Sequence, residues 1–397
     1  MNLKTAFLVG LFPEETRTEI EQKSSGPIQY AADALQWSIV RGLDQHLKQL
    51  TLVNILYVGS FPQRYKDLFI KSYPFSHNGV SKDYNVGFIN LMLYKLYSRY
   101  YRGKKFLKAN VVTDNDVLLI YAIHIPFLLS AIHARKKNPN LKICLIVPDI
   151  PEFMGNNSFI RSCFSFIENR VLKNCLSQID SFILLSKYMA KYLNIEHKPW
   201  DVMEGIFDAN DDALPQEKEK NITVLYSGTL AKRYGIKNLL QSFSEIYDIN
   251  YRLWIFGDGD GRIDVESAAK NDSRIIYFGQ KSRKEILEYQ KRATILVNPR
   301  TAEGEYTKYS FPSKIMEYFA SGTPTIMYKL EGIPEEYFKY CFISENNSIT
   351  DLKNKIVEVA NLSDQERYKI GLSARNFILE NKNAKVQTQK IINLINK

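Results

Sequence analysis

Between Lys308 and Ile326 the chain reads KYSFPSKIMEYFASGTPTI, with proline, serine, lysine and one carboxylate at the start of a short helical pattern. Pro312 suits the first position of a helix and Gly322 the residue just past its end, so a helix is expected over about 312–320. The amides at 311–314 would lack helical partners and face whatever precedes the helix. Together with the helix dipole and the Lys314 ammonium they suit a diphosphate. Ser313 and Glu317 lie four apart and share a face. A carboxylate one turn further in accepts hydrogen bonds only, which suits two neighbouring hydroxyls such as those of a ribose. The stretch reads as a nucleotide clamp; the other reading is an amphipathic core helix whose Glu317 caps an internal group.

Three more loops carry related chemistry. SGTLAKRYGIKNLL follows an apolar run at 222–227 and offers a tight turn at Gly228, the cations Lys232 and Arg233, then Gly235 and a helix start. That combination makes an anion site, or else an ordinary solvated βα loop. GDGDG at 257–261 lacks the ligand spacing of an EF-hand and the form of a dinucleotide fingerprint. Gly257 therefore reads as part of a turn that lets backbone approach a ligand, and the Asp258–Asp260 pair as turn residues rather than metal ligands. Arg300 follows the run ATILVNP directly.

These loops need elements to hold them. Short apolar runs at 5–12, 52–59, 117–123, 142–149 and 181–186 alternate with helical patterns such as AADALQWSIVRGLDQHL. The alternation restarts at 222–228, 251–261, 274–279, 293–299 and 323–328. Strands alternating with helices imply parallel sheets in layered α/β domains. The expected organisation is an α/β chain with two Rossmann-like parallel-sheet domains facing across a cleft, at 1–200 and 201–375, with a terminal helix at 376–397. Ligands of such sheets sit at the carboxyl ends of the strands.

With 397 residues the chain exceeds one ordinary core. Its four cysteines, Cys144, Cys163, Cys175 and Cys341, show no paired spacing, which excludes a disulfide framework and fits a reducing compartment. The first apolar run meets Glu14 too soon for a signal sequence, and no run reaches the roughly 18 residues of a membrane span. A net charge of +10 suggests anionic company.

Taken in order, LYSGTLAKRYGIKNLL, LWIFGDGDG, RIIYFGQKSRKEILEYQKRATILVNP and FPSKIMEYFASGTPTI resemble the family 4 glycosyltransferases of GT-B architecture. The first half is similar more loosely, through KSSGPIQYAADALQWSIVRGL, LIVPDIPEFM and LSKYMAKYL…VMEGIFD, to the bacterial capsule, exopolysaccharide and O-antigen members. The resemblance implies transfer of a hexosyl-type sugar from a nucleotide-sugar donor to a lipid-linked saccharide, with retention at the anomeric carbon and no bound metal. It implies that the domain at 1–200 is acceptor-binding, the domain at 201–375 nucleotide-sugar-binding, and that the terminal helix at 376–397 returns to the first domain. It also implies roles for residues. Glu317 would bind the ribose hydroxyls, Lys232 the diphosphate, Gly279 and Gln280 the base, and Gly26 the donor phosphates from the first half. Two departures stand out. The family's first glutamate, eight positions before Glu317, is Tyr309, so its role is either absent or taken by backbone around Ser310 and Phe311. Its arginine after the first glycine is Thr229, for which Arg233 or Arg300 would substitute.

For acceptor chemistry, His124 and Asp149 each follow a buried strand at its carboxyl end. Either could orient or deprotonate a hydroxyl, or serve as a satisfied core histidine and a turn residue. The stretch FINLMLYKLYSRYYRGKKFLK carries Lys95, Arg99, Arg102, Lys104 and Lys105 beside leucines and tyrosines. It reads as a basic amphipathic helix suited to an anionic bilayer, so the expected location is cytoplasmic, peripheral on the inner face of the plasma membrane. An ordinary surface helix is the other reading, and no nucleic-acid-binding motif accompanies it. Two further functions stay open: a nucleotide-sugar epimerase, and a non-catalytic nucleotide-sugar-binding scaffold.

Overall fold

The computed structural model describes residues 3–150, 169–208 and 216–397. Cys163 and the end of the LIVPDIPEFM stretch lie outside the described residues. The chain divides into two compact units, Met1–Ile206 with Ala384–Lys397, and Phe207–Asn383.

The first unit holds an eight-stranded sheet in the order β3-β4-β2-β1-β5-β6-β7-β8. Its strands are β1 (Thr5–Val9), β2 (Leu50–Asn54), β3 (Tyr73–Phe75), β4 (Asp83–Asn85), β5 (Val117–Tyr121), β6 (Lys142–Val147), β7 (Ser181–Leu184) and β8 (Trp200–Val202). All pairs are parallel except β3 with β4, an antiparallel departure at one edge from the expected all-parallel sheet. β1 and β5 are buried at every position, as continuous apolar runs covered on both faces must be. Phe7 lies beside both Leu52 and Leu119 in register. One core joins Phe7, Leu52 and Leu119 to Trp37 and Leu43 of the helix Tyr30–Asp44 and to Ile391 and Ile395 of the terminal helix Ala384–Ile395. Gly42 sets the crossing of these two helices, since a Cβ there would lie 2.4 Å from Ala384 O. The return to this unit begins at Ala384; the preceding helix Asp364–Asn381 stays with the second unit.

The second unit is a six-stranded parallel sheet in the order β11-β10-β9-β12-β13-β14. Its strands are β9 (Ile222–Ser227), β10 (Tyr251–Phe256), β11 (Ile275–Gly279), β12 (Ile295–Asn298), β13 (Thr325–Tyr328) and β14 (Phe342–Ser344). Leu225, Trp254, Phe256, Leu296 and Tyr318 form a core under β9 and β10. Burying a side chain such as Phe256 contributes roughly 1.5–3 kcal/mol. The helix Arg283–Arg292 starts on a capping box in which Ser282 and Glu285 satisfy each other's amides. The helix of the opening motif spans Lys314–Ala320, and the amide of Ile315 already bonds back to Pro312 O at 2.9 Å. Gly322 follows at φ +73°, in the left-handed region that a helix end favours.

Candidate functional site

In the second unit, the carboxyl ends of β9, β10 and β11 put Gly228, Gly257 and Gly279 side by side. Gly228 N–H donates to Phe256 O at 3.0 Å and Gly257 N–H to Gly279 O at 2.9 Å. Gly257 has φ +128°, and a Cβ there would lie 1.8 Å from Gly228 O. Glycine is dictated by this contact and leaves bare backbone along the strand ends. Gly279, at φ +67°, has open space where a Cβ would project, and Gln280 beside it is exposed. The GDGDG acids fasten this edge: Asp260 accepts from Lys232 N–H at 2.9 Å and Asp258 from Gly259 N–H at 2.8 Å.

Lys314 reaches back over this row. A Cβ on Gly228 would lie 3.1 Å from Lys314 Cε. Burial holds the Lys314 ammonium below its ordinary pKa, against the pull of Glu317. Pro312 has no amide hydrogen and Ile315 bonds within the turn, so the donors this end can offer are the amides of Phe311, Ser313 and Lys314. This narrows the expectation of donors throughout 311–314. Ser313 is exposed and makes no capping bond, while the Phe311 ring is buried against Tyr337 at 5.3 Å. Phe311 thus anchors the loop and presents only its backbone.

Arg300 is buried at 8% exposure, between the rings of Tyr234 at 5.2 Å and Tyr306 at 4.9 Å. It donates to Ser310 Oγ at 2.7 Å, and its Nε has no partner among the described residues. It positions the segment before the helix. Lys232 and Arg233 are exposed and line a separate groove with Glu303 and Tyr306. Arg233 stacks over Tyr234 and Tyr306, and the Lys232 ammonium lies 3.8 Å from Asp264.

Glu317 opens on a cavity of about 400 Å³ lined also by Arg283, Leu287, Glu288 and Ala320. Its carboxylate accepts from Arg283 Nε at 2.9 Å. Sequence reasoning missed Arg283; the available signal was a cation three residues past Gln280, at the start of the helix that follows β11. Beneath them Tyr318, fully buried, accepts from Ser227 N–H at 2.9 Å and donates to Ser227 O at 3.1 Å. That pair locks the motif helix onto the end of β9. Tyr309 ends a short helix, Glu305–Tyr309, that precedes the motif helix, and its hydroxyl is raised from its ordinary pKa by burial and then by the Glu305 carboxylate. An acid therefore lies beside the position where the resemblance lacks one.

The first unit has its own cavity at the strand ends, about 410 Å³, lined by Phe12, Gln29, Tyr57, Tyr121, His124 and Asp149 among others. Its first loop is pinned by Gly10 N–H to Gln36 Oε1 and Phe12 N–H to Asp33 Oδ1, both 2.7 Å. Gly26, at φ +92°, is exposed, and Ser24, Ser25 and Pro27 around it form the rim. His124 precedes the helix Ile125–Arg135 and packs on Phe127 at 4.5 Å and Tyr57 at 5.5 Å. Burial, then the charges of Arg99 and Lys95, hold its imidazole well below its usual pKa. His124 is therefore neutral and a weak base. Burial pushes Asp149 the other way, up to about 6, which makes it the better proton acceptor of the two.

Lys95 and Arg99 were expected on a membrane-facing helix surface; they instead line this cavity, at 8% and 4% exposure. The helix Lys95–Asn110 turns its polar stripe inward because buried carbonyls await it: Lys95 Nζ donates to Val58 O and Arg99 to Leu56 O. Leu93 and Tyr97 are left outside, at 90% and 53% exposure. Arg102 and Lys105 are exposed; Arg102 Nε donates to Gly87 O, and the Lys104 ammonium lies over Tyr100 and Tyr101. Among the described residues no helix is long and apolar enough to cross a membrane, and no group of three or more His, Cys, Asp or Glu is placed to hold a metal.

Residues 208–377 match the family model described as glycosyl transferases group 1. The matched residues lie within the second unit. An uncharacterized glycosyltransferase of Methanocaldococcus jannaschii is 26% identical over 275 residues, 68% of this chain and 72% of that protein. Among solved structures, the lipopolysaccharide outer core galactosyltransferase WaaB is 16% identical, with 99% of each chain covered and a TM-score of 0.63. Anabaena HepE in complex with UDP is 13% identical, covers 99% of this chain and 100% of its own, and has a TM-score of 0.64. The fold is thus that of the GT-B glycosyltransferases, two α/β units with sheets of eight and six strands. Sugar transfer is the activity of the matched family.

Proposed function

We propose that this protein transfers a sugar from a nucleoside-diphosphate sugar to a saccharide acceptor with retention at the anomeric carbon. The observation that carries the reading is the junction of the glycine row Gly228, Gly257 and Gly279 with Lys314 and Glu317. The diphosphate lies over bare backbone at the strand ends, with the Lys314 ammonium and the free amides beside it. The ribose hydroxyls donate to Glu317 and displace Arg283 from its carboxylate. As the bond from the anomeric carbon to the phosphate breaks, negative charge grows on the leaving diphosphate, and preorganised donors there lower the barrier. In the first unit Asp149 takes up the proton of the acceptor hydroxyl, and neutral His124 orients a sugar hydroxyl by hydrogen bonding. UDP is the first base to try, because HepE was solved with it. Turnover needs no added metal and survives a chelator.

The acceptor belongs to surface-polysaccharide assembly and is lipid-linked, in keeping with the activity named for WaaB. The membrane reading rests on the outer face of the helix Lys95–Asn110, where Leu96, Tyr97 and Tyr101 are exposed beside Arg102, Lys105 and Lys108. That helix holds no carboxylate, so its charge complements an anionic bilayer. Incubation of the purified chain with UDP-, GDP-, dTDP- and CDP-sugars and a lipid-linked saccharide tests the reading. Acceptor-dependent release of one nucleoside diphosphate supports it. Release without any acceptor dependence favours the epimerase, and no turnover with retained nucleotide binding favours the scaffold.

A further inference from the structure

The cavity of the first unit contains more positive charge than its neighbours balance. Arg99 lies between the rings of Phe88 at 4.5 Å and Tyr57 at 5.9 Å, and its guanidinium donates to the Leu56 carbonyl, not to an acid. Its Nε has no hydrogen-bond partner among the described residues, and the same holds for His124 Nδ1. Lys95 Nζ meets the Val58 carbonyl and, at 3.4 Å, Ser60 Oγ. Neither cation forms an ion pair among the described residues. Arg64 adds a third positive group at the rim. Among the described lining residues the only carboxylate is Asp149, and burial raises its pKa to about 6. Burying charge without a counter-charge is costly. Burial and then the neighbouring Arg99 charge hold Lys95 down to about 7, so this basic pair at the wall of an open cavity is short of counter-charge and would gain from a bound anion.

We infer that this cavity binds an anionic group of the acceptor, a phosphate or a carboxylate, between Lys95, Arg99 and the rim residue Arg64. The inference rests on the reading of the first unit as the acceptor unit and narrows it: the acceptor is an acidic saccharide or a phosphate-bearing one. The anion supplies the missing counter-charge, accepts from the orphaned Arg99 N–H and leaves His124 to the sugar hydroxyls. Ser24, Ser25 and Ser60 line the same space and offer further donors.

The test is calorimetric titration of the full chain with glycerol phosphate, with methyl glucuronide and with the uncharged methyl glucoside. Each is repeated on Lys95→Gln, Lys95→Arg, Arg64→Gln and Glu317→Gln, and UDP is titrated in parallel. We expect one of the two anions to saturate the wild type while methyl glucoside does not; which anion it is separates phosphate from carboxylate. Lys95→Gln and the exposed Arg64→Gln should each weaken that anion at least tenfold, Lys95→Arg should restore most of it, and Glu317→Gln should leave it unchanged while weakening UDP. Absence of saturable anion binding to the wild type overturns the proposal. So does equal binding by Lys95→Gln with its fold intact, or a loss of UDP binding in Lys95→Gln as large as the loss of the anion. Failure of the wild type to bind UDP would instead sink the donor reading, a separate result from the anion titration.

Discussion

At Asp149 and His124 the same physical cause, burial, acts in opposite directions. It raises the carboxyl to about 6 and depresses the imidazole. The rate should therefore rise with pH through about 6, as Asp149 loses its proton and becomes a base. Asp149→Asn should remove that limb and lower the rate about 10²–10⁴-fold, whereas His124→Gln should raise KM more than it lowers kcat. A pH profile of kcat/KM for the three proteins checks this. The sequence placed both residues at strand ends but could not rank them, because the ranking depends first on how deeply each is buried and only then, for His124, on Arg99 and Lys95, which arrive from a distant helix. The same helix shows what residue types leave open. A period of 3.6 puts Lys95, Ser98 and Arg99 on one face, but hydropathy alone turns that face to solvent. Carbonyls 37 and 43 residues away, Val58 and Leu56, turn it inward.

At the scale of elements, the glycine row and the motif helix are held by few contacts, each with a testable strength. Gly257→Ala would set a methyl 1.8 Å from Gly228 O in a backbone conformation that suits glycine. The expected loss is about 3 kcal/mol or more of unfolding free energy. Tyr318→Phe removes both bonds to Ser227 and should cost about 1–3 kcal/mol; urea titration measures both. Away from the site, His77 tests the first sheet. Burial disfavours its charge, but the hydrogen bonds that the imidazolium donates to Asp44 and Asp83 outweigh burial and raise it from 6.5 to about 9. The folded-state value lies above the unfolded one. The stabilisation is thus fully present below about pH 6.5 and is lost as pH rises through about 9. The unfolding midpoint should fall over that window, and the fall should flatten in His77→Gln. The longer strands were legible because each is a short apolar run, fully buried in β1 and β5 and half-buried in β11. β3, β4, β8 and β14, of three residues each, were not, since so short a run carries no period and three of them sit at sheet edges. The motif helix was legible from Pro312 and Gly322, but its partner Arg283 lies 34 residues away and only folding brings it there.

For the whole molecule, a net charge of +10 and the exposed face beside Lys105 and Lys108 predict binding to vesicles containing anionic lipid. Leu93→Ser with Leu96→Ser should lower sedimentation with such vesicles several-fold while leaving UDP affinity untouched; equal sedimentation would remove the membrane from the account. The return of the terminal helix Ala384–Ile395 to the first unit ties both units to one chain order, so truncation before Ala384 should destabilise the first unit through loss of Ile391 and Ile395 from its core. The claim on which everything else depends is that the second unit holds a nucleoside diphosphate with its ribose on Glu317. Calorimetric titration with UDP, and then GDP, dTDP and CDP, tests it most directly, with Glu317→Gln alongside. One nucleotide should bind in the micromolar range, with a loss of about 10–100-fold in Glu317→Gln, the worth of hydrogen bonds to a charged group. No binding of any of them at millimolar concentration, or equal binding by the variant, would contradict it.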